Sequence, residues 1–359
     1  MTKRNTTIKN TATRKNTVGK SLPRWVKITG IVTIVLLALG IIVAAPYLTS
    51  RASKDAVLYL RRGTSNEAVL DSLTKCVDAQ FAAKVMDLVN MTRGDLSTRQ
   101  GAFIIEEGET ALNLARKLRR GAADDIKVTI NNIRTKDDLA SRLASKLMMT
   151  KQEMLEVLNN KEMCAAFDKN PDNITGLFLP DTYQFLWDVE PTKLLENMKK
   201  YSDKFWSSSR KDKAEKLGLT PDEVITLASI VEGETSKADE KGKIARLYMN
   251  RLKQHIKLQA DPTVKFALGN FALRRLRIAD TRVESPWNTY YVEGLPPGPI
   301  CIPEKATIDA VLDAPEHDYI YMCAKEDFSG YHNFAVNYNE HEANAKRYQN
   351  ALNERDIRR

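Results

Sequence analysis

The sequence has few cysteines, and their spacing excludes the common zinc sites. Four occur in 359 residues, and none forms a Cys-x-x-Cys pair with another: Cys76, Cys164, Cys301 and Cys323. Structural zinc sites use Cys and His ligands at short, regular spacings, so we predict no metal, and we expect no other cofactor. An oxidising compartment permits disulfides, but spacing alone identifies no pair, and we predict buried free thiols.

Most of the chain lacks an excess of positive charge. The formal net charge is +9, but residues 1–27 contain eight Lys and Arg side chains and no acidic one. Without this segment, basic residues outnumber acidic ones by a single charge. Proteins that bind nucleic acid carry a basic patch that neutralises phosphates. We therefore predict no nucleic-acid partner.

One long segment lacks charge altogether. Residues 28–50 carry no charged side chain, and at about 1.5 Å per helical residue they are long enough to cross a bilayer. Trp25 and Tyr47 stand near the two ends, where aromatic side chains favour the membrane interface. The positive-inside rule places the basic tail, residues 1–27, in the cytoplasm. We predict a single-pass anchor in the inner (plasma) membrane, with the rest periplasmic or extracellular; the alternative is a cleaved signal peptide.

Residues 51–125 have the pattern of a small mixed unit. AVLYL alternates as a strand does, and TSNEAVLDSLTK has the signals of a capped helix. GAFIIEEGETALNLARKLRRGA predicts a strand, a turn at Glu107 and Gly108, and a helix that ends at a glycine. This is the plan of a LysM-type glycan-binding repeat, although many small α+β units share it. We predict a LysM-like domain at 51–125 and a larger domain at 126–359.

The larger domain begins with signals for both strand and helix. KVTI predicts a strand, and TKDDLASRLASKL predicts a helix with an approximate capping box formed by Thr135 and Asp138. GLFLPDTYQF is dense in aromatic side chains and proline. Such rings suit sugar faces and hydrophobic cores alike, and we interpret Phe178 and Phe185 as core residues. The fold class predicted for the whole chain is α+β.

The segment LTPDEVITLASIVEGET, residues 219–235, predicts a helix that ends in two acids. Thr220, Pro221 and Glu223 provide a capping-box start. At 3.6 residues per turn, one apolar face consists of Val224, Leu227, Ala228 and Val231. Glu234 continues this face, whereas Glu232 lies at its margin.

A carboxyl group at the end of an apolar face can act as an acid. Desolvation raises the pKa of a carboxyl, and a raised pKa suits a general acid near neutral pH. We therefore predict Glu234 as the catalytic acid, with Glu232 as the second choice. Gly233, between them, is expected to loosen the last helical turn and admit a substrate. The alternative is that both acids are solvated surface charges.

Several further motifs accompany this helix, and together they resemble one family. They are FLPDTY at 178–183, LASIVEGET at 227–235, NRL at 250–252, LQADPTV at 258–264, SPWNTY at 285–290, GLPPGPI at 294–300, His332-x-Phe334 and Glu340-His341. In this order they resemble the YceG-like endolytic murein transglycosylases over nearly the whole chain. Thr175 departs from the acidic residue expected before Gly176, and Lys265-Phe266 departs from a more apolar pair.

The resemblance implies a reaction and a fold. The family cleaves the β-1,4 bond between N-acetylmuramic acid and N-acetylglucosamine without water, and the muramoyl 6-hydroxyl closes a 1,6-anhydro ring. Hydrolytic glycosidases usually need a second carboxylate, whereas here the substrate supplies the nucleophile. The catalytic domain is then expected to be lysozyme-related. Cutting nascent peptidoglycan strands would terminate their elongation, with peptidoglycan synthases and division or elongation proteins as partners.

The resemblance also implies which residues bind the sugar. Gln259, Asp261, Asn288 and Tyr290 are candidates to hold sugar amides and hydroxyls, and Asp261 has the alternative of capping the turn at Pro262. Asn250 and Arg251 are candidates too, with a helix-end salt bridge as the alternative. His332 is interpreted as structural. Two alternative functions remain: a hydrolytic muramidase in which Asp261 or Glu232 activates water, and a non-catalytic peptidoglycan-binding scaffold.

Overall fold

A computed structural model describes residues 23–273 and 275–354, which form two compact units. The first unit contains the residues up to Arg99 together with Ile104–Ala122. The second contains Gln100–Phe103 and the residues from Ala123 onward. Helices and strands occur in both units, as the α+β prediction requires. The predicted domain boundaries at 50/51 and 125/126 stay predictions.

The first helix, α1, is Arg24–Thr49, and none of its residues is buried. By length and composition it is the one helix among the described residues that could cross a membrane. It contains the predicted apolar segment except Ser50, which stands at its C-cap. The first 22 residues of the predicted basic tail lie outside the described part of the chain. This apolar N-terminal helix suggests a membrane anchor or a signal.

The other elements of the first unit follow the sequence signals. Strand β1 (Ala56–Leu60) forms a two-stranded sheet with β2 (Gly101–Ile105), and the division between the two units falls within β2, after Phe103. Three helices complete the unit: α2 (Asn66–Cys76), α3 (Ala79–Met91) and α4 (Ala111–Arg120). The side chains of Ser65, Asp78 and Thr110 cap their N-termini, and Gly121 ends α4 in the left-handed conformation at φ 67°. The predicted strands, capped helix and glycine stop are confirmed.

The second unit begins with a two-stranded sheet that encloses a helical segment. β3 (Asp125–Ile130) pairs antiparallel with β4 (Asp181–Leu186). Between them lie α5 (Lys136–Ala144), α6 (Lys151–Asn159), α7 (Lys161–Ala165) and a 3-10 turn at Ile174–Leu177. The capping box of Thr135 and Asp138 is confirmed. Phe178 and Phe185 are buried, which confirms their interpretation as core residues.

The rest of the second unit is mainly helical. It comprises α8 (Pro191–Phe205), α9 (Ser208–Lys216), α10 (Pro221–Glu234), α11 (Ala238–Lys253), α12 (Asp261–Ala267), α13 (Lys305–Leu312), the antiparallel strands β5 (Tyr321–Ala324) and β6 (His332–Ala335), and α14 (Tyr338–Glu354). Helix α10 packs against α11, α12 and α13. It is therefore the central helix of this unit.

Helix α10 starts as predicted but is buried differently. The capping box of Thr220 and Glu223 is confirmed. All eight residues from Val224 to Val231 are buried, so the prediction of a single apolar face was wrong. The reason is that neighbouring helices enclose α10. Its polar Ser229 is satisfied by donating to the Thr226 carbonyl at 2.7 Å and accepting from the Ile300 amide at 3.0 Å.

All four cysteines are free thiols, as predicted, although only Cys164 is fully buried. Burial raises the pKa of the Cys301 thiol to about 12. Its Sγ lies 3.6 Å from the Ser229 carbonyl oxygen. This thiol therefore packs against the middle of α10 in its protonated form.

Candidate active site

Glu234 is the last residue of α10 and lies in a groove of about 460 Å³. The groove is bounded by α11, the loop that leads into α12, Tyr290, the β5–β6 hairpin and the start of α14. Glu234 remains partly accessible, although its carboxyl group is densely surrounded by protein. The predicted acid is thus withdrawn from bulk water and still open to a ligand.

The pKa of Glu234 suits proton donation near neutral pH. It is raised from 4.5 to about 7, chiefly because burial disfavours the ionised form. The nearby carboxylate of Asp261 raises it further, whereas a hydrogen bond from Tyr248 and the charge of Lys265 lower it. The Tyr248 hydroxyl donates to Glu234 Oε1 at 2.6 Å. Glu234 therefore holds a proton over part of the neutral range, as a general acid requires.

Glu232 faces a different cavity. This second cavity has a volume of about 960 Å³ and is also lined by Arg134, Ser141 and Phe271. Glu232 Oε2 lies 3.0 Å from Lys241 Nζ and accepts a hydrogen bond from the Thr307 hydroxyl. Glu232 is thus held by a lysine and a hydroxyl in a cavity separate from the groove of Glu234. The geometry therefore favours Glu234 over Glu232 as the acid.

Gly233 does not loosen the helix, so that expectation was wrong. Helix α10 continues through Glu234. A Cβ atom at Gly233 would lie 2.6 Å from Cβ and 2.8 Å from Cγ of Pro262. The glycine instead allows the start of α12 to pack directly on α10. This contact brings Asp261 within electrostatic reach of Glu234.

Asp261 lines the groove and is paired with Tyr290. The Tyr290 hydroxyl donates to Asp261 Oδ1 at 2.7 Å. Burial and this bond to a carboxylate raise the pKa of Tyr290. Ala260 occupies the N-cap position of α12, so Asp261 does not cap the turn. The structure thus brings Asp261 and Tyr290 to the same groove as Glu234.

Arg251 and Gln259 also line the groove and are joined to each other. Arg251 Nη2 donates to Gln259 Oε1 at 2.7 Å, and its Nε and Nη1 donate to the carbonyls of Lys257 and Ile320. The partners of Arg251 are therefore two backbone carbonyls and one amide oxygen. They differ from the carboxylate partner that the alternative of a helix-end salt bridge requires. Gln259 has a φ of 50°, and its backbone N–H donates to Thr289 O at 3.1 Å. These bonds fix the loop that leads into α12.

Asn250 and Asn288 do not line the groove. Asn250 donates to the carbonyls of His317 and Tyr319 at 2.6 and 3.1 Å. Asn288 is fully buried and donates to the carbonyls of Thr281 and Val283 at 2.9 and 2.7 Å. Its Oδ1 accepts from the Tyr290 amide at 3.0 Å. Both side chains hold loops, and Asn288 positions Tyr290. Their sugar contacts stay a prediction.

Sequence reasoning missed several residues of the groove. Tyr248 was not singled out, although it lies three residues before Arg251 and hence on the same face of α11. Glu240 is buried and accepts from the backbone N–H of His332 at 2.9 Å, with His332 Nδ1 3.0 Å away. This pair agrees with a structural role for His332. The ring of His341 stacks on Tyr321 at 5.2 Å.

The two departures from the family pattern lie outside the groove that contains Glu234. Thr175 is buried in the 3-10 turn. Phe266 packs against the rings of Trp287 and Phe271.

Within residues 23–273 and 275–354, no group of three or more His, Cys, Asp or Glu side chains could hold a metal ion.

Comparison with known proteins gives a consistent result. The model of the YceG-like family matches residues 58–347. A Bacillus subtilis protein named endolytic murein transglycosylase is 26% identical over 309 residues, or 81% of this chain and 84% of that protein. A Streptococcus pneumoniae protein of the same name is 29% identical over 205 residues, which cover 55% of this chain and 35% of that protein.

The fold has a counterpart among solved structures. The crystal structure of a YceG-like protein from Listeria monocytogenes superposes with a TM-score of 0.54 and 24% identity. The match covers 81% of this chain and 98% of that chain. It supports the fold alone, whereas the family match extends over most of the sequence. This chain belongs to the YceG-like family.

Proposed function

We propose that this protein is a membrane-anchored peptidoglycan lytic transglycosylase. It cleaves the β-1,4 bond between N-acetylmuramic acid and N-acetylglucosamine in nascent strands and leaves 1,6-anhydro ends, which terminates elongation. The names of the relatives support the class of reaction. The observation that carries the proposal is the buried, Tyr248-bonded carboxyl of Glu234 at the groove, with a pKa near 7.

The reaction uses one carboxyl group twice. Protonated Glu234 donates its proton to the bridging oxygen as the bond from muramoyl C1 to that oxygen breaks. The resulting carboxylate then accepts the proton of the muramoyl 6-hydroxyl as O6 bonds to C1. The leaving sugar departs with a free 4-hydroxyl, the acid regains its starting proton, and no water is consumed. General acid–base catalysis of this kind contributes about 10²–10⁴-fold to a rate.

Tyr248 gives the two carboxyl oxygens of Glu234 different roles. Its hydroxyl occupies Oε1 of Glu234, which leaves Oε2 to carry the transferable proton. Tyr290, Asp261 and Gln259 line the same groove and offer a phenol, a carboxylate and an amide to sugar hydroxyls and acetamido groups. Arg251 holds Gln259, and Tyr290 is bonded to Asp261. Because these side chains are already fixed, less entropy is lost when a sugar binds.

A hydrolytic muramidase is the second candidate, because Asp261 lies in the same groove. In that mechanism Asp261 would activate water, and the products would have reducing ends. Mass spectrometry of the products distinguishes the two reactions, since a 1,6-anhydro end lacks the mass of one water. Anhydro ends are expected, and reducing ends alone would overturn the transglycosylase proposal.

The acid is tested with Glu234→Gln and Glu232→Gln on purified glycan strands. Glu234→Gln should lose at least about 10³-fold in rate, while Glu232→Gln should retain most activity because Glu232 faces the other cavity. Normal cleavage by the Glu234 variant, without a change in its fold, would mean that another group is the acid. Absence of cleavage by the wild type would support the non-catalytic scaffold.

The small unit and the anchor complete the proposal. The strand–turn–helix plan of β2 and α4 supports a LysM-like, glycan-binding role for the first unit. Helix α1 anchors the chain in the plasma membrane, with the basic N-terminal segment in the cytoplasm and the catalytic unit outside. A compartment-sensitive reporter fused to the C-terminus tests this orientation. The anchor would bring the enzyme to peptidoglycan synthases and division or elongation proteins.

A further inference from the structure

An apolar groove of about 510 Å³ lies within the first unit, between α1 and two neighbouring helices. One wall is the second half of α1, residues 39–48. The other wall consists of Leu88 and Met91 from α3 and Leu112 from α4. Met91 is 63% exposed, although its side chain is long and apolar. The active-site chemistry uses none of these residues.

The surroundings of α1 indicate what fills this groove. No residue of α1 is buried by protein, and its segment 28–50 carries no charge. Leaving so much apolar surface in water would be unfavourable. If α1 spans the membrane, as the proposed function states, acyl chains cover it. Since residues 39–48 of α1 form one wall, the same acyl chains reach Leu88, Met91 and Leu112.

The charges on the two neighbouring helices fit a lipid surface. Lys84 precedes Leu88 by four residues on α3, and Arg116 follows Leu112 by four residues on α4. Residues four apart share a helix face and differ in height by about 6 Å. On each helix a cation thus lies about one turn from an apolar side chain of the groove, and on α3 the acidic Asp87 lies one turn from Met91 as well. Side chains that bury apolar atoms in a bilayer place nearby Lys and Arg at the height of the phosphates.

We propose that the first unit docks on the outer leaflet of the membrane. Leu88, Met91 and Leu112 enter the acyl region beside α1, and Lys84 and Arg116 contact lipid phosphates. Helix α1 then spans the membrane, and α3 and α4 rest beside it on the bilayer surface. This inference depends on the membrane span proposed above.

Depth-dependent fluorescence quenching tests the docking in the full-length protein. An environment-sensitive nitrobenzoxadiazole probe is attached to single cysteines in a cysteine-free background, with the chain in nanodiscs containing spin-labelled lipids. Three positions are compared: Met91→Cys at the end of α3, Val35→Cys in the middle of α1, and Met148→Cys as the matched control. Met148 is also an exposed methionine, but it belongs to the second unit.

The outcomes separate this proposal from the one it depends on. We expect lipid quenching at position 91 to exceed that at position 148 at least about threefold, with the probe at 35 quenched as well. Adding Lys84→Glu and Arg116→Glu should reduce quenching at 91 in anionic nanodiscs and leave position 35 unchanged. Quenching at 35 without quenching at 91 would overturn the docking and keep the span. Absence of quenching at both positions would overturn both.

Discussion

The phenol of Tyr248, on α11, donates a hydrogen bond of 2.6 Å to the carboxyl of Glu234, at the end of α10. Burial raises the pKa of Glu234, whereas this bond lowers it, and the result is a value of about 7. Tyr248 is itself almost fully buried, and burial together with the neighbouring Glu234 raises the pKa of its phenol, so that it stays a donor. The pair therefore sets the acid close to neutrality.

Tyr248→Phe should raise the pKa of Glu234, because it removes the hydrogen bond that favours the carboxylate. The alkaline limb of the pH profile of kcat/KM should move to higher pH, and kcat should fall about tenfold because Oε1 loses its fixed position. Tyr290→Phe is the control, since its hydroxyl bonds Asp261. A fall in rate without any movement of the limb would show that this hydrogen bond does not set the pKa of Glu234.

Glu234→Gln should make the folded state less sensitive to pH. The pKa of Glu234 is raised from 4.5 to about 7 on folding, so the wild type binds the proton more tightly when folded. That contribution to stability is present below pH 4.5 and is lost as pH rises through 7. The variant should be more stable than wild type at pH 8 by about 1–3 kcal/mol, and not at pH 4.

Urea denaturation at the two pH values measures this difference. Glu232→Gln is the matched control, because Glu232 is paired with Lys241 and its loss removes a favourable contact. It should give no gain at pH 8. Equal stabilisation by both variants would mean that the burial of Glu234 is not the cause.

Gly233→Ala should disturb the contact between α10 and α12. The new methyl group would meet the Pro262 ring at 2.6 Å, and a proline ring cannot rotate away. We expect a loss of about 1–3 kcal/mol in the free energy of unfolding and about a tenfold loss of activity, because Asp261 moves with Pro262. Gly176→Ala is the control, since the nearest atom there, Cγ2 of Ile225, is 3.5 Å away. Wild-type stability in Gly233→Ala would show that α12 can move away from α10 without a measurable loss in the free energy of unfolding.

Asn288→Ala should destabilise the fold more than it weakens substrate binding. The change leaves the partly buried carbonyls of Thr281 and Val283 without their donor, which should cost about 1–3 kcal/mol. Thermal unfolding and KM, measured well below the transition, distinguish the two roles. A KM raised about tenfold with unchanged stability would instead support the sugar contact that the sequence resemblance implies for Asn288.

Local signals in the sequence predicted the local structure well. The capping boxes at Thr135 and Thr220 start helices as predicted, because capping depends on residues only three positions apart. Glu234 was chosen over Glu232 from the helical period, and the structure favours the same choice for another reason. Helix α10 is enclosed on all sides, so the partners of each acid distinguish them: Tyr248 for Glu234, and Lys241 with Thr307 for Glu232.

Long-range contacts could not be predicted from local patterns. Nothing near Gly233 in the sequence indicates that the Pro262 ring packs against it. Asn288 belongs to a motif that resembles a sugar-binding segment, yet its partners are backbone carbonyls that only the folded loop brings together. Tyr248 was not singled out, because its partner lies fourteen residues away on another helix.

The enclosure of α10 has a consequence for when the enzyme becomes competent. Helix α13 packs against α10, and β5 and the start of α14 line the groove of Glu234, yet all three are synthesised long after it. Until they arrive, the groove around Glu234 lacks these walls, and its carboxyl is less buried than in the complete fold. We therefore expect a chain that lacks these C-terminal elements to cleave glycan more slowly than the complete fold.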